Sequence, residues 1–275
     1  LAGHLNEEGF KVFAETNSPT FDSIETCLTA IKCYINYNNF QESSLLKLGK
    51  QEQTAVSASK EALAILKVGK GSLSEYQSKK LLACYGISIP KGKLAQSLAE
   101  AGKVAEELGY PVVLKVSSPH ILHKTEARVL AVDIKGKTEL EKAYNNILKN
   151  AHDYNPQANI EGVLVEEMAA KGIETIIGSV HDPQFGPTIM FGLGGVLVEL
   201  LKDVALRVAP LNKNEVFNMI DEIKCGAILK GFRGSEPTDI DALGTTIEKI
   251  ANLTLELRDW IEELDINPVI VYGRG

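Results

Sequence analysis

Hydrophobic and polar positions fall into three stretches of different character along this chain. Thr20–Tyr34 is amphipathic at helical spacing, and Phe10-Lys11-Val12-Phe13 alternates like a strand. One strand and one helix cannot bury a core alone, so residues 1–40 read as a fragment of a neighbouring domain. From Gln41 to Lys70 the residues turn polar and small (QESS, QEQTAVSASK), which suits a linker with a short helix near Lys60–Leu66. A regular alternation of helices and strands follows. Ser74 with Gln77, and Ser97 with Glu100, form capping boxes ahead of two helices that Gly86 and Gly109 would end. A strand is expected over Pro111–Val116, a loop over His120–Lys124, a strand over Arg128–Ile134 and a helix capped by Thr138 with Glu141. These elements define a first subdomain, 71–155.

After Asn155-Pro156 the strands restart, at Gly162–Met168, Ile173–Val180 and Pro187–Phe191, followed by Gly192-Leu193-Gly194-Gly195. Two helices are expected near Lys213–Ile223, capped by Asn212 and Glu215, and near Ile240–Glu256, before a last strand around Asp265–Tyr272. This is the second subdomain, 156–275. Only a few residues separate the strands Gly162–Met168 and Ile173–Val180, too few for a parallel crossover, so they are expected to form an antiparallel pair. The fold class is α/β of the α+β kind rather than a Rossmann sheet.

The chain has 275 residues and a net charge of -7, with pI near 5.4. An acidic protein repels phosphate backbones, which argues against non-specific nucleic-acid binding. No apolar run approaches the ~18 residues of a membrane helix, and no signal peptide is visible. Cys27, Cys33, Cys84 and Cys225 form no CxxC pair and no zinc spacing, so they read as reduced thiols of a cytoplasmic protein. Starting at Leu1, the chain reads as part of a longer one.

Several residues carry candidate chemistry. Lys115 lies inside an apolar strand, where a charge needs a counter-charge or a cavity; it reads either as a phosphate-holding lysine or as an edge-strand lysine in solvent. His120 and His123 share the loop SSPHILHKTE, whose lysine and carboxylate suit an imidazole nucleophile. The glycines of 192–195 would let backbone N–H groups approach phosphates, or simply make a turn. Glu166 and Glu167 point to opposite faces of a strand, so only one can line a given pocket; Glu174 follows on the next strand. Asp265 and Asn267 share a strand face and offer hard oxygen ligands suited to Mg²⁺, though D-x-N-P is also a common turn. Arg207, and Arg233 between the glycines of GFRG, suit phosphate clamping or plain surface exposure.

Read in order, SSPHILHK, EGVLVEEM, GIETIIGSVHDPQFGPTIMFGLGG, VELLKDVALRVAPL, GFRG and ELDINPVIV resemble the ATP-grasp domain of ADP-forming acetyl-CoA and acyl-CoA synthetases, relatives of succinyl-CoA synthetase. The resemblance covers about Leu73 to Tyr272. It implies an ATP-grasp fold of two subdomains, preceded by the end of a CoA-ligase domain in residues 1–40. It implies an acid–thiol ligase that converts acyl-CoA, ADP and phosphate to acid, CoA and ATP through an acyl phosphate and a phosphohistidine. His123 would carry phosphate. Lys115, Glu167, Glu174, Gly194, Gly195 and Arg233 would surround ATP or ADP, and Asp265 and Asn267 would hold Mg²⁺. Acyl-CoA, CoA and phosphate would enter through partner CoA-binding domains or an α subunit, without which the chain should be inactive; neither nucleic acid nor membrane is expected as a partner. Where the family usually has two glycines after HKTEA, this chain has Arg128 and Val129, either as replacements or because the glycines are deleted. The other readings are a succinyl-CoA synthetase β-like subunit and a non-catalytic nucleotide-binding module regulating a fused acetyltransferase.

Overall fold

The computed structural model describes residues 11–13, 15–16, 19–21, 23–48, 59–68, 71–195, 203–232, 234 and 236–274. The chain divides into two compact units, Leu1–Val56 and Ser57–Gly275. In the first, Lys11, Val12 and Phe13 are helical, not extended as expected. Among the described residues of this unit no strand offers them a ladder, and a local bond from Thr16 N–H to Val12 O forms instead. Helix α1 (Ile24–Leu48) runs through the boundary expected at residue 40. Ile24, Leu28, Ile31 and Ile35 recur along it at helical spacing and are exposed.

The second unit holds two four-stranded antiparallel sheets. Strands β1 (Gly92–Ala95), β2 (Val112–Ser117), β3 (Leu130–Ile134) and β4 (Gly162–Glu167) form the first, in the order β1-β4-β2-β3. Strands β5 (Ile173–Asp182), β6 (Gly186–Leu193), β7 (Val204–Val208) and β8 (Glu263–Val271) form the second, in the order β7-β6-β5-β8. The antiparallel α+β class holds, but β4 and β5 are not partners. β4 already has β1 and β2 on its two edges, so residues 168–172 cross between sheets instead of turning a hairpin. The first sheet therefore extends to Glu167, beyond the boundary expected at 155/156.

Alternation along β2 and β4 sorts their side chains. Val112, Leu114, Val116, Val163 and Val165 bury against helices packed on one face, α4 (Leu98–Leu108) and α5 (Lys137–Tyr154), through Ala101, Ala105, Leu140 and Ile147. Each such large aliphatic contributes roughly 1.5–3 kcal/mol. Lys115 and Glu166 point to the other face. The capping box of Ser74 and Gln77 starts helix α3 (Glu75–Cys84) as expected, and Ser97 caps α4. Helix α5 starts differently: Gly136 is its N-cap, and Glu139, not Thr138 with Glu141, reaches back to accept from Lys135 N–H.

The second core joins Ile177, Ile189 and Phe191 of the second sheet to Met219 of α6 (Lys213–Glu222) and to Ile247 and Ile250 of α7 (Ile240–Glu256). Asn212 and Glu215 cap α6 as expected. The same core takes in Ala62 and Leu66 of α2 (Lys60–Val68) and Leu81 and Leu82 of α3. Helix α3 is thus rooted in the second core by its C-terminal half, while its first turn reaches the first sheet. No helix among the described residues is long and apolar enough to cross a membrane.

Candidate nucleotide and phosphate site

Lys115 is not on an edge: β2 lies between β4 and β3. A lysine there requires compensation, and the fold supplies two carboxylates. Its Nζ lies 2.7 Å from Glu75 Oε1 and 3.0 Å from Glu166 Oε2. Register explains the second contact, since Lys115 pairs with Leu164 and Glu166 lies two residues along the same face of β4. The helix explains the first, because Glu75 and Lys79 share one face of α3 at i, i+4. Lys79 Nζ lies 2.7 Å from Glu75 Oε1 and 2.5 Å from Glu166 Oε1. Lys124 Nζ lies 2.9 Å from Glu75 Oε2. Three ammonium groups thus surround two carboxylates. Burial alone would raise the Glu75 pKa, but Lys115, Lys79 and Lys124 pull it well below the carboxylate range. Burial opposes the charge of Lys115, and Glu75 and Glu166 more than restore it, raising its pKa. Beside the network, Tyr76, Lys79, Ile89, Pro90, Leu164 and Glu166 help line a pocket of about 130 Å³.

The histidine loop begins where β2 ends. His120 Nδ1 accepts from Asn159 N–H at 3.1 Å, which occupies one ring nitrogen. Ile121 is buried, whereas Leu122 and His123 are exposed. The loop closes through Val129 N–H to Lys124 O, and Ala127 and Val129 are buried. Arg128 has φ +53, the left-handed region glycine favours. Asn150 Nδ2 holds that turn by donating to Arg128 O at 2.8 Å. The backbone therefore keeps a glycine-like turn at a position where the chain carries arginine.

On the second sheet, Glu263, Asp265 and Asn267 alternate outward while Leu264 and Ile266 pack on the core. Partial burial, then the neighbouring Glu263, raise the Asp265 pKa, and His123 acts on it in the opposite sense. No lysine or arginine among the described residues pairs with Asp265. A carboxylate and an amide oxygen, exposed on one strand face and left without a cation, fit a Mg²⁺ that takes its remaining ligands from phosphate and water. Among the described residues there is no cluster of three or more His, Cys, Asp or Glu that could hold a metal unaided.

Glu174 and the glycines meet on this sheet. Gly194 N–H donates to Glu174 O at 2.8 Å, and a Cβ on Gly194 would lie 3.1 Å from the Glu174 backbone. Gly195 has φ +69, and its Cβ position is 3.7 Å from Glu174 Oε2. Glu167 turns away from Lys115, its Oε1 accepting from Lys91 N–H at 2.9 Å. Arg207 pairs with Glu222 at 2.5 Å. Arg233 lies outside the described residues. Reading the sequence alone missed Glu75, Lys79 and Lys124 as members of the site and did not assign Glu166. The signal was present in the i, i+4 pair Glu75/Lys79 and in the counter-charge that Lys115 demands.

A family model described as an ATP-grasp domain matches residues 64–275. The chain is 48% identical over 211 residues to the β subunit of acetate–CoA ligase [ADP-forming] II of Pyrococcus furiosus, covering 77% of this chain and 89% of that one. It is 38% identical to 4-hydroxybutyrate–CoA ligase [ADP-forming] of Nitrosopumilus maritimus, over 96% of this chain but 38% of that longer protein. The acetyl-coenzyme A synthetase 1 of Ca. Korarchaeum cryptofilum, solved with coenzyme A and Ca-AMPCP, superposes with a TM-score of 0.74 at 44% identity, covering 78% of this chain and 93% of that one. Another structure of that enzyme, with Mg-AMPPCP and its phosphohistidine segment pointing towards the nucleotide binding site, has a TM-score of 0.67 at 40% identity, over 80% of this chain and 95% of that one. The chain belongs to the ATP-grasp family, among the ATP-grasp parts of ADP-forming acyl-CoA synthetases.

Proposed function

We propose that this chain passes phosphate between His123 and ADP as the nucleotide-handling part of an ADP-forming acyl-CoA synthetase. The observation that carries the reading is an exposed histidine between fixed loop anchors, adjacent to the lysine whose ion pair with Glu75 joins it to the Lys115 network. Lys115 exchanges a carboxylate for nucleotide phosphate oxygens, and Glu174, Gly194 and Gly195 border the nucleotide, with Glu167 near the adenine and Arg233 near the phosphates. Asp265 and Asn267 hold Mg²⁺, which when bound screens the phosphate charge. In the ATP-forming direction the P–N bond of phospho-His123 breaks as a β-phosphate oxygen of ADP takes the phosphoryl group, and the imidazole leaves neutral. In reverse, the free imidazole nitrogen attacks the γ-phosphorus and ADP departs.

The acyl and CoA chemistry belongs to partner domains or an α subunit. Two observations support this: the chain spans 38% of the Nitrosopumilus relative, and α1 exposes an apolar stripe. The cytoplasmic setting expected from the cysteines is part of the same proposal. Arg128 takes the left-handed conformation that glycine favours, so a glycine-type turn is present at the altered pair, which supports the catalytic reading over a regulatory one.

Charge-assisted hydrogen bonds contribute about 1.5–3 kcal/mol. Lys115→Ala should therefore weaken Mg-ADP binding roughly tenfold to a hundredfold by titration calorimetry. Wild-type affinity in that variant contradicts the role given to Lys115.

A further inference from the structure

We infer that Glu75 is a positioning residue for phosphoryl transfer: through Lys124 it docks the His123 loop beside the lysine that receives nucleotide phosphate. The inference rests on the reading of His123 as the phosphate carrier. Its basis is the way the loop is held. Ile121 is buried on one side of the exposed segment, and Ala127 and Val129 on the other. His120 is tied to Asn159 and the Arg128 carbonyl to Asn150. Between these anchors, the backbone bonds of residues 122–126 stay within the loop. Apart from the backbone bonds that residues 127–129 donate to it, Lys124–Glu75 is, among the described residues, the one ion pair or hydrogen bond from this segment to the rest of the protein. His123 is adjacent to Lys124, so the state of this tether sets where the imidazole sits.

Glu75 divides its two oxygens between the loop and the nucleotide lysine. Oε1 accepts from Lys115 and Lys79, both at 2.7 Å, while Oε2 forms an ion pair with the Lys124 ammonium at 2.9 Å. When a phosphate oxygen takes over Lys115, Oε1 loses one of its cations and the carboxylate holds Lys124 more strongly. Without nucleotide, Lys115 competes for the same charge and the loop is released more easily. Coupling of this kind is reciprocal, so a docked loop favours nucleotide at Lys115 by the same factor. A carrier that must meet ADP while loaded and leave afterwards gains from such a link.

The test compares wild type, Lys124→Met and Lys124→Arg in the full chain, using ATP labelled at the γ-phosphate. A misplaced reacting group costs on the order of tenfold to a hundredfold. Lys124→Met should label His123 more slowly by that factor at saturating Mg-ATP, with half-saturation shifted less than about threefold, the signature of a lost transition-state arrangement. Amide exchange over residues 122–126 should accelerate in the same variant. Lys124→Arg keeps the charge and should recover most of both signals. Wild-type labelling by Lys124→Met, or unchanged exchange, overturns the inference, as does failure of Lys124→Arg to recover. An unlabelled wild type instead removes the carrier reading, and with it the catalytic meaning of the tether; the exchange arm still decides whether Lys124 docks the loop.

Discussion

On the first sheet Lys115 meets two carboxylates within 3.0 Å, while on the second Asp265 has Glu263 beside it and no described lysine or arginine partner. Both residues face the chemistry proposed for nucleotide phosphate and metal, yet they are prepared in opposite ways. A lysine in an inner strand cannot wait for its ligand uncompensated, because the desolvation cost falls on the empty protein. Its counter-charges are therefore built in, and binding is an exchange of partners. Asp265 is exposed at the strand face, its pKa drawn upward by partial burial and Glu263, and its cation can arrive with the ligand. The difference separates residues that stability requires from residues that only binding requires.

The largest expected effect comes from breaking the matched side. Glu166→Ala should destabilise the fold by about 3 kcal/mol in denaturant unfolding, since it leaves Lys79, Lys115 and Lys124 sharing the single carboxylate of Glu75 around a buried position. A loss below about 0.5 kcal/mol would mean that water already compensates these lysines and that the comparison is false.

A smaller effect should separate the two carboxylates by their response to pH. Glu75 has a depressed pKa, so its stabilisation is fully present above the ordinary carboxylate range and fades as pH falls below it. The stability gap between wild type and Glu75→Gln, about 2 kcal/mol near neutrality, should narrow towards pH 3. Asp265 has a raised pKa, so its ionisation costs stability as pH rises through and above the carboxylate range. Asp265→Asn should leave the metal-free protein within about 0.5 kcal/mol of wild type, on the stabilised side, and should lose the Mg²⁺-dependent gain seen with ADP. A matching destabilisation in both variants would erase the distinction.

Much of this arrangement is legible in the sequence, for identifiable reasons. Capping signals are local, and Ser74, Ser97 and Asn212 sit where their helices begin. Period-two patterns over β2 and β4 are long enough to read. β1 has four residues and a mixed pattern, and β7 exposes Leu206, so neither stands out. Pairing is less legible than strand content, because β4 and β5 are adjacent in sequence but each is flanked by other strands in space. At the site, the inner-strand charge of Lys115 announces that a partner must exist. Glu75 lies 40 residues away on a helix rooted in the other core, and no local pattern names it. The nominated Glu167 and the unassigned Glu166 differ only by the parity of one strand, which register with β2 decides.

The central claim is that His123 carries phosphate. After brief exposure of the chain to Mg-ATP labelled at the γ-phosphate, acid-labile label should map to His123 and vanish in His123→Ala, while His120→Ala, which loses only the bond from Asn159 N–H, keeps it. Label that persists in His123→Ala, or that maps to His120, contradicts the account.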